Sequence, residues 1–227
     1  MLYFVATPIG NLDDLSLRQA KAITQSDVIL AEDTRSFEIL KNKATSSFKL
    51  TPNQFQVVES YYKGNEMEKL PLVFNYLSSN KDVAVLSESG MPLISDPGYL
   101  LMKTAIAKKI PLTLIPGPTA FTSSVVLSGF NFRNIFFIGF LPKKSSEIKE
   151  AFKRISRIKE VMPNTVTVFY ESPHRIKKTL ELLKIYFPNE EVAIVREISK
   201  RFEQVLRGFP DNLAKNTFKG ELTVVIK

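Results

Sequence analysis

The stretch Lys81–Ala120 reads KDVAVLSESGMPLISDPGYLLMKTAIAKKIPLTLIPGPTA. An apolar run, Val83–Leu86, ends at the small polar loop Ser87-Glu88-Ser89-Gly90. A helical pattern follows, then a second apolar run, Leu112–Ile115, and then Pro116-Gly117-Pro118-Thr119-Ala120. Short uninterrupted apolar runs separated by a helix are the pattern of a βαβ unit in a buried parallel sheet. Ligands of such sheets gather outside the carboxyl ends of the strands. The two loops are therefore expected to wall one ligand site.

The same alternation extends in both directions. Strands are expected at 2–6, 28–31, 83–86, 112–115, 135–140, 165–170, 191–196 and 222–226, with helices at 16–23, 37–42, 65–77, 98–108, 121–128, 145–158, 173–187 and 210–216. This predicts the α/β class with largely parallel sheets. The last long helix has its start signal in Ser172-Pro173, and its apolar positions Ile176, Leu180 and Leu183 keep the helical period. A composition shift near Pro116–Gly129 leads to an aromatic strand and the lysine-rich stretch Lys143-Lys144-Ser145-Ser146. It divides the chain into domains 1–118 and 119–227.

The 227 residues include no cysteine and one histidine, which excludes disulfides, thiolate chemistry and a histidine-rich metal site. No metal is expected. The apolar start Met1–Val5 lacks a basic leader and a cleavage site, so it is expected to be a strand, and no run is long enough for a membrane span. A cytoplasmic protein is the expectation. Thirty-one basic against 23 acidic residues give a net charge of +8. That balance suits a polyanion such as RNA, although a lysine-favouring genome gives the same excess.

Dinucleotide and P-loop signatures are missing, as is a Gly-x-Ser-x-Gly nucleophile motif. His174, beside Pro173, is expected to be a helix-terminal surface residue. Instead, loops recur at strand ends: Ala6-Thr7-Pro8-Ile9-Gly10-Asn11, Glu32-Asp33-Thr34-Arg35, Ser87–Gly90 with Ser95-Asp96-Pro97-Gly98, and Pro116–Ala120. Singly each is an ordinary turn, and Asp33 or Thr34 is an ordinary cap for a helix near Phe37. Their order along the chain is informative.

In that order, and joined by Gly139-Phe140-Leu141-Pro142, Phe169-Tyr170-Glu171-Ser172-Pro173-His174-Arg175, Arg196-Glu197-Ile198-Ser199-Lys200 and Gly220-Glu221, the loops make the chain resemble the tetrapyrrole-methylase-fold (class III) S-adenosyl-L-methionine-dependent methyltransferases. Within them it is similar to the branch acting on small-subunit ribosomal RNA. The resemblance implies two α/β domains, a homodimer, and transfer of a methyl group to the 2′-hydroxyl of a cytidine in 16S ribosomal RNA or the small ribosomal subunit. The alternatives are a tetrapyrrole acceptor or a non-catalytic RNA-binding relative. It also implies cofactor contacts at Pro8, Glu88, Gly90, Met91, Ile94, Ser95, Thr119, Ala120, Tyr170, Ala193 and Glu221. Glu32, Asp33 and Arg35 are assigned to the acceptor side, and Glu32, Asp33, Glu171 and Lys200 are polar candidates for a base. Where the branch has Ser-Asp-Ala-Gly-Thr-Pro, this chain has Ser87-Glu88-Ser89-Gly90-Met91-Pro92. Glu88 keeps the charge, and Met91 removes a hydroxyl. Longer members extend past the strand Leu222–Lys227, and RNA contacts made by that extension are expected to be lacking.

Overall fold

The computed structural model describes residues 1–227 and divides into two units, Met1–Thr119 and Ala120–Lys227. The first unit runs β1 (Leu2–Val5), a 3₁₀ turn (Leu12–Asp14), α1 (Leu17–Gln25), β2 (Val28–Ala31), α2 (Thr34–Phe48), β3 (Val57–Ser60), α3 (Glu66–Ser78), β4 (Val83–Leu86), α4 (Tyr99–Ala107) and β5 (Leu112–Ile115). Its five strands lie in the order β3-β2-β4-β1-β5, every pair parallel. Strand side chains alternate between faces. Val5, Ile29, Ala31, Leu86 and Ile115 pack under α1 and α2, whereas Leu2, Phe4, Val28, Leu30, Val83 and Val85 pack under α3 and α4. With both faces covered, the central strands β2 and β4 are buried throughout and carry no polar alternation, which is why Val83–Leu86 reads as one apolar run.

The second unit runs α5 (Ala120–Ser128), β6 (Asn134–Phe140), α6 (Ser145–Val161), β7 (Thr165–Glu171), α7 (Ile176–Tyr186), β8 (Val192–Arg196), β9 (Gln204–Gly208), α8 (Pro210–Leu213) and β10 (Leu222–Ile226). Its sheet has the order β6-β7-β10-β8-β9. Phe169, Ile194, Leu222 and Val224 face α6, α7 and α8, and Val166, Val168, Ala193 and Val225 face Val125 of α5.

The α/β class stands, with two departures in detail. Only β6 and β7 pair in parallel in the second sheet; β10 runs antiparallel to both β7 and β8, and β8 to β9. A tight connection, residues 197–203, joins β8 to β9 where a crossover helix would be needed for parallel pairing. The second departure concerns helix starts. The helix expected at Phe37 begins at Thr34, because Asp33 Oδ1 accepts the Arg35 N–H at 2.8 Å and caps it. The helix expected at Pro173 begins at Ile176, after a turn in which the Ser172 carbonyl accepts the N–H groups of Arg175 and Ile176, each at 3.0 Å. His174 is exposed in that turn. No helix is long and apolar enough to cross a membrane.

Candidate functional site

In the first unit, four loops leave the same end of the parallel sheet, after β1, β2, β4 and β5. Backbone pairing locks two of them together. Thr7 donates its N–H to the Gly90 carbonyl at 2.9 Å, and Gly90 donates to the Thr7 carbonyl at 3.1 Å. The Thr7 hydroxyl adds a bond to the Ser87 carbonyl at 3.2 Å, and the Ser87 hydroxyl donates to the Gly90 carbonyl. Gly90 has φ +84°, and a Cβ there would meet Ile9 Cγ2 at 3.2 Å and the Pro118 carbonyl oxygen at 3.4 Å. Only glycine adopts this conformation without cost. Gln19 holds the loop after β1 to α1: its Nε2 donates to the Ala6 carbonyl at 2.8 Å, while its Oε1 accepts the Ser16 N–H at 2.6 Å. A Cβ on Gly117 would stand 2.8 Å from Ala6 Cβ, so the loop after β5 lies directly on the loop after β1.

Pro8, Glu32, Asp33, Phe37, Leu86 and Glu88 are among the residues that line a cavity of about 210 Å³ at this end of the sheet. Apolar side chains supply much of the wall and carboxylates part of the rim. The loop Met91–Gly98 continues from Gly90 in a constrained path, with Leu93 at φ +70° and Ser95 at φ +73°, both left-handed without being glycine. Non-glycine residues held there store strain and occur disproportionately at ligand sites. The loop is held at its end by the Gly98 N–H, which donates to Glu66 Oε1. Ile94 is 41 % exposed.

The electrostatics of this end are unusual for a basic chain. Asp96 Oδ2 is buried and has no hydrogen-bond partner. Burial, and then the charges of Glu32 and Glu88, push the Asp96 carboxyl up to about 6. Burial and Glu88 also raise Glu32. Asp33 moves the other way: the Arg35 side chain, with Nε at 3.3 Å and Nη2 at 3.1 Å, and the Arg35 N–H hold its carboxyl below the usual carboxylate range. Three mutually repelling carboxylates with an unsatisfied buried oxygen fit a cationic, hydrogen-bond-donating ligand. They do not form a grouping that could hold a metal ion.

Of the expected site residues of the first unit, Pro8, Glu32, Asp33 and Glu88 line the cavity, whereas Arg35, Gly90, Met91, Ile94 and Ser95 belong to the same loops outside its lining, and Thr119 is the last residue of the unit. In the second unit Tyr170, the penultimate residue of β7, is in register with Thr223, and its ring lies 5.2 Å from that of Phe140. Ala193 is 0 % exposed, a core methyl packed with Val125, Val166, Val168 and Val225. Ala120 opens α5. Glu221 is bound by Lys200 Nζ at 2.9 Å, which also lies 3.5 Å from Glu197. Two of the polar candidates are occupied in this way. Lys200 is committed to that ion cluster. Glu171, 3 % exposed, binds Arg175, the Ser172 N–H and the Thr179 hydroxyl. Asp96 is the functional candidate that motif reading passed over; Asp-Pro-Gly before a helix was the available signal, and it reads equally as a turn.

Comparison with known proteins agrees with this architecture. A family described as Tetrapyrrole (Corrin/Porphyrin) Methylases matches residues 1–214. The chain is 36 % identical to Ribosomal RNA small subunit methyltransferase I of Halalkalibacterium halodurans, covering 100 % of this chain and 75 % of that protein. It is 38 % identical to the protein of that name from Mycoplasmopsis pulmonis, covering 99 % and 96 %. Among solved structures, cobalt precorrin-4 methyltransferase, a cobalamin biosynthetic enzyme, superposes with a TM-score of 0.68 at 15 % identity over 99 % of this chain and 93 % of that one. The uroporphyrin III C-methyltransferase of Thermus thermophilus gives 0.65 at 14 % identity over 99 % and 96 %. At such identities the structures establish the fold, and the full-length matches establish the lineage: the chain belongs to the tetrapyrrole (corrin/porphyrin) methylase family.

Proposed function

We propose that this chain transfers a methyl group from S-adenosyl-L-methionine to the ribose 2′-hydroxyl of a cytidine in small-subunit ribosomal RNA. The observation that carries the proposal is the unpartnered, buried Asp96 Oδ2, which feels the charges of Glu32 and Glu88, two carboxylates that line a cavity of the first unit. The full-length similarity to ribosomal RNA methyltransferases supports the RNA acceptor.

The donor supplies an electrophilic sulfonium methyl group. The protein's task is alignment, which contributes roughly 7–11 kcal/mol in the best cases. Asp96 and Glu88 offer negative charge to the donor's cationic part, and the backbone from Gly90 to Ser95 offers groups that need no side chain. Glu32, at the cavity wall with a raised carboxyl pKa, is assigned the hydroxyl proton. A positioned base typically contributes about 10²–10⁴-fold. Asp33 caps α2 and aims Arg35, whose remaining guanidinium N–H groups are open to an RNA phosphate.

The test is incubation of the protein with radiolabelled donor and small subunits lacking the modification, followed by nucleotide mapping. Label on a cytidine ribose is expected. Label on a base, or on a porphyrinogen offered in parallel and not on RNA, overturns the proposal.

A further inference from the structure

The net charge is not shared between the two units. Residues 1–119 carry 12 basic and 12 acidic side chains, whereas residues 120–227 carry 19 and 11, so the whole excess of +8 resides in the second unit.

Within that unit one end of the sheet gathers five exposed cations that are in no ion pair. Strand register places Phe140, Glu171, Arg196, Gln204 and Leu222 at a common end of β6, β7, β8, β9 and β10. The segments leaving that end carry Lys143, Lys177, Lys178, Arg201 and Lys219, all exposed and none in an ion pair. At the opposite end Lys159, Lys184 and Lys227 are neutralised by Glu190, Asp211 and Glu191, and Arg133 is exposed there without an ion pair.

Two aromatic rings stand at the same cationic end. Phe140 is 63 % exposed where the register of β6 on β7 slips near Gly139, a glycine at φ +68°. Phe202, on the β8–β9 connection, is also 63 % exposed, with the Arg201 guanidinium 5.6 Å from its ring centre. Five strands at about 4.8 Å spacing give this edge a width of roughly 19 Å. The loops on it are held in place. Arg175 donates to the Pro142 carbonyl at 3.0 Å and to the Leu141 carbonyl at 3.2 Å while paired with buried Glu171, which ties the Lys143 segment to the Lys177-Lys178 segment.

We infer that this sheet edge is a docking surface for single-stranded RNA, with Lys143, Lys177 and Lys178 on phosphates and Phe140 and Phe202 stacking on bases. Free cations interleaved with exposed rings are what single strands require, since phosphates bind by charge and any base offers a stacking face. The inference rests on the RNA acceptor proposed above. It assigns the polyanion to the second unit, which carries the whole cationic excess.

The test is binding of the full chain to a fluorescein-labelled single-stranded RNA across a salt series. The triple variant Lys143→Gln/Lys177→Gln/Lys178→Gln is expected to reduce the slope of log affinity against log salt by about 2, at ~0.7 per phosphate. Phe202→Ala is expected to lower affinity roughly 5- to 100-fold with the slope unchanged. The control, Lys149→Gln/Arg154→Gln/Arg157→Gln on the outer face of α6, removes the same charge and is expected to leave the slope unaltered. Equal effects of the two triples, or none from the first, overturn the inference. If the wild type methylates small-subunit RNA while the edge triple binds normally, the docking surface fails and the proposed function stands. If RNA binds through the edge but receives no methyl group, the proposed function fails and the docking surface stands.

Discussion

Arg175 Nη2 lies 2.6 Å from Glu171 Oε1, and the Glu171 side chain is fully buried while that of Arg175 is 29 % exposed. The other Glu171 oxygen accepts the Thr179 hydroxyl at 2.6 Å, so the carboxylate is saturated by protein donors. Removing one member of a buried pair leaves the other charge uncompensated, at a cost of about 3–5 kcal/mol. Glu171→Ala is therefore expected to destabilise the second unit near the lower end of that range, because Arg175 retains partial access to water. Urea unfolding followed by circular dichroism measures this; a change below about 1 kcal/mol would show the pair to be incidental.

Gly220 and Glu197 are similarly coupled. Glu197 Oε1 accepts the Glu221 N–H at 2.8 Å, and that bond is the chief influence lowering its carboxyl pKa. Gly220 is at φ +79°, and a Cβ there would collide with the Glu197 side chain. The expected cost of Gly220→Ala is roughly 1–2 kcal/mol from the backbone alone, a fall of about 2–8 °C in Tm. The same substitution at Gly129, also left-handed at φ +71° but with only Arg207 Nε near, at 3.9 Å, should cost the backbone part without the collision. Equal falls for the two variants would remove the role assigned to Glu197.

Asp96 is expected to make stability and, in the proposed donor site, ligand affinity depend on pH. Its folded pKa of about 6 lies above the ordinary 3.8, so the folded state binds its proton more tightly than the unfolded chain does. Stability from this group is present below about pH 4 and is lost as pH rises to 6 and beyond. Asp96→Asn is expected to stabilise the protein above pH 7, with the advantage vanishing near pH 4. A cationic donor bound by the carboxylate has the opposite dependence: affinity rises through pH 6 in the wild type and stays flat in Asp96→Asn. Calorimetric titration with S-adenosyl-L-methionine at pH 5 and pH 8 reads the difference directly.

Gly90→Ala addresses the loop seam. The left-handed backbone costs about 1–2 kcal/mol, and the contacts with Ile9 and the Pro118 carbonyl must open by a few tenths of an ångström. Donor affinity is expected to fall at least tenfold while the rest of the protein stays folded. Retained affinity in a folded variant would show that the Thr7–Gly90 seam does not shape the donor site.

Arg35→Ala separates acceptor from donor. The side chain is 90 % exposed and touches only Asp33 among charged groups. Methylation of RNA should fall at least tenfold with donor affinity nearly intact and the unfolding midpoint unchanged. Equal loss of both activities would sink the acceptor-side assignment.

What sequence alone determined was the parallel sheet of the first unit and the loops at its end. Val28–Ala31 and Val83–Leu86 were legible because covered parallel strands need apolar residues on both faces, and the edge strand Leu112–Ile115 because three of its four residues are Leu or Ile. The edge strands β3 (Val57–Ser60) and β9 (Gln204–Gly208) were missed. They are half-buried or exposed at many positions, so their identity comes from the neighbour they pair with. The loops were found because glycine and proline mark turns locally. Which carboxylate in them is occupied was not legible. Glu171 and Asp96 look alike as letters, but tertiary packing gives one of them an arginine, a hydroxyl and an amide, and leaves one oxygen of the other buried without a partner. Burial and charge pairing are sums over neighbours remote in sequence, and only the folded chain performs them.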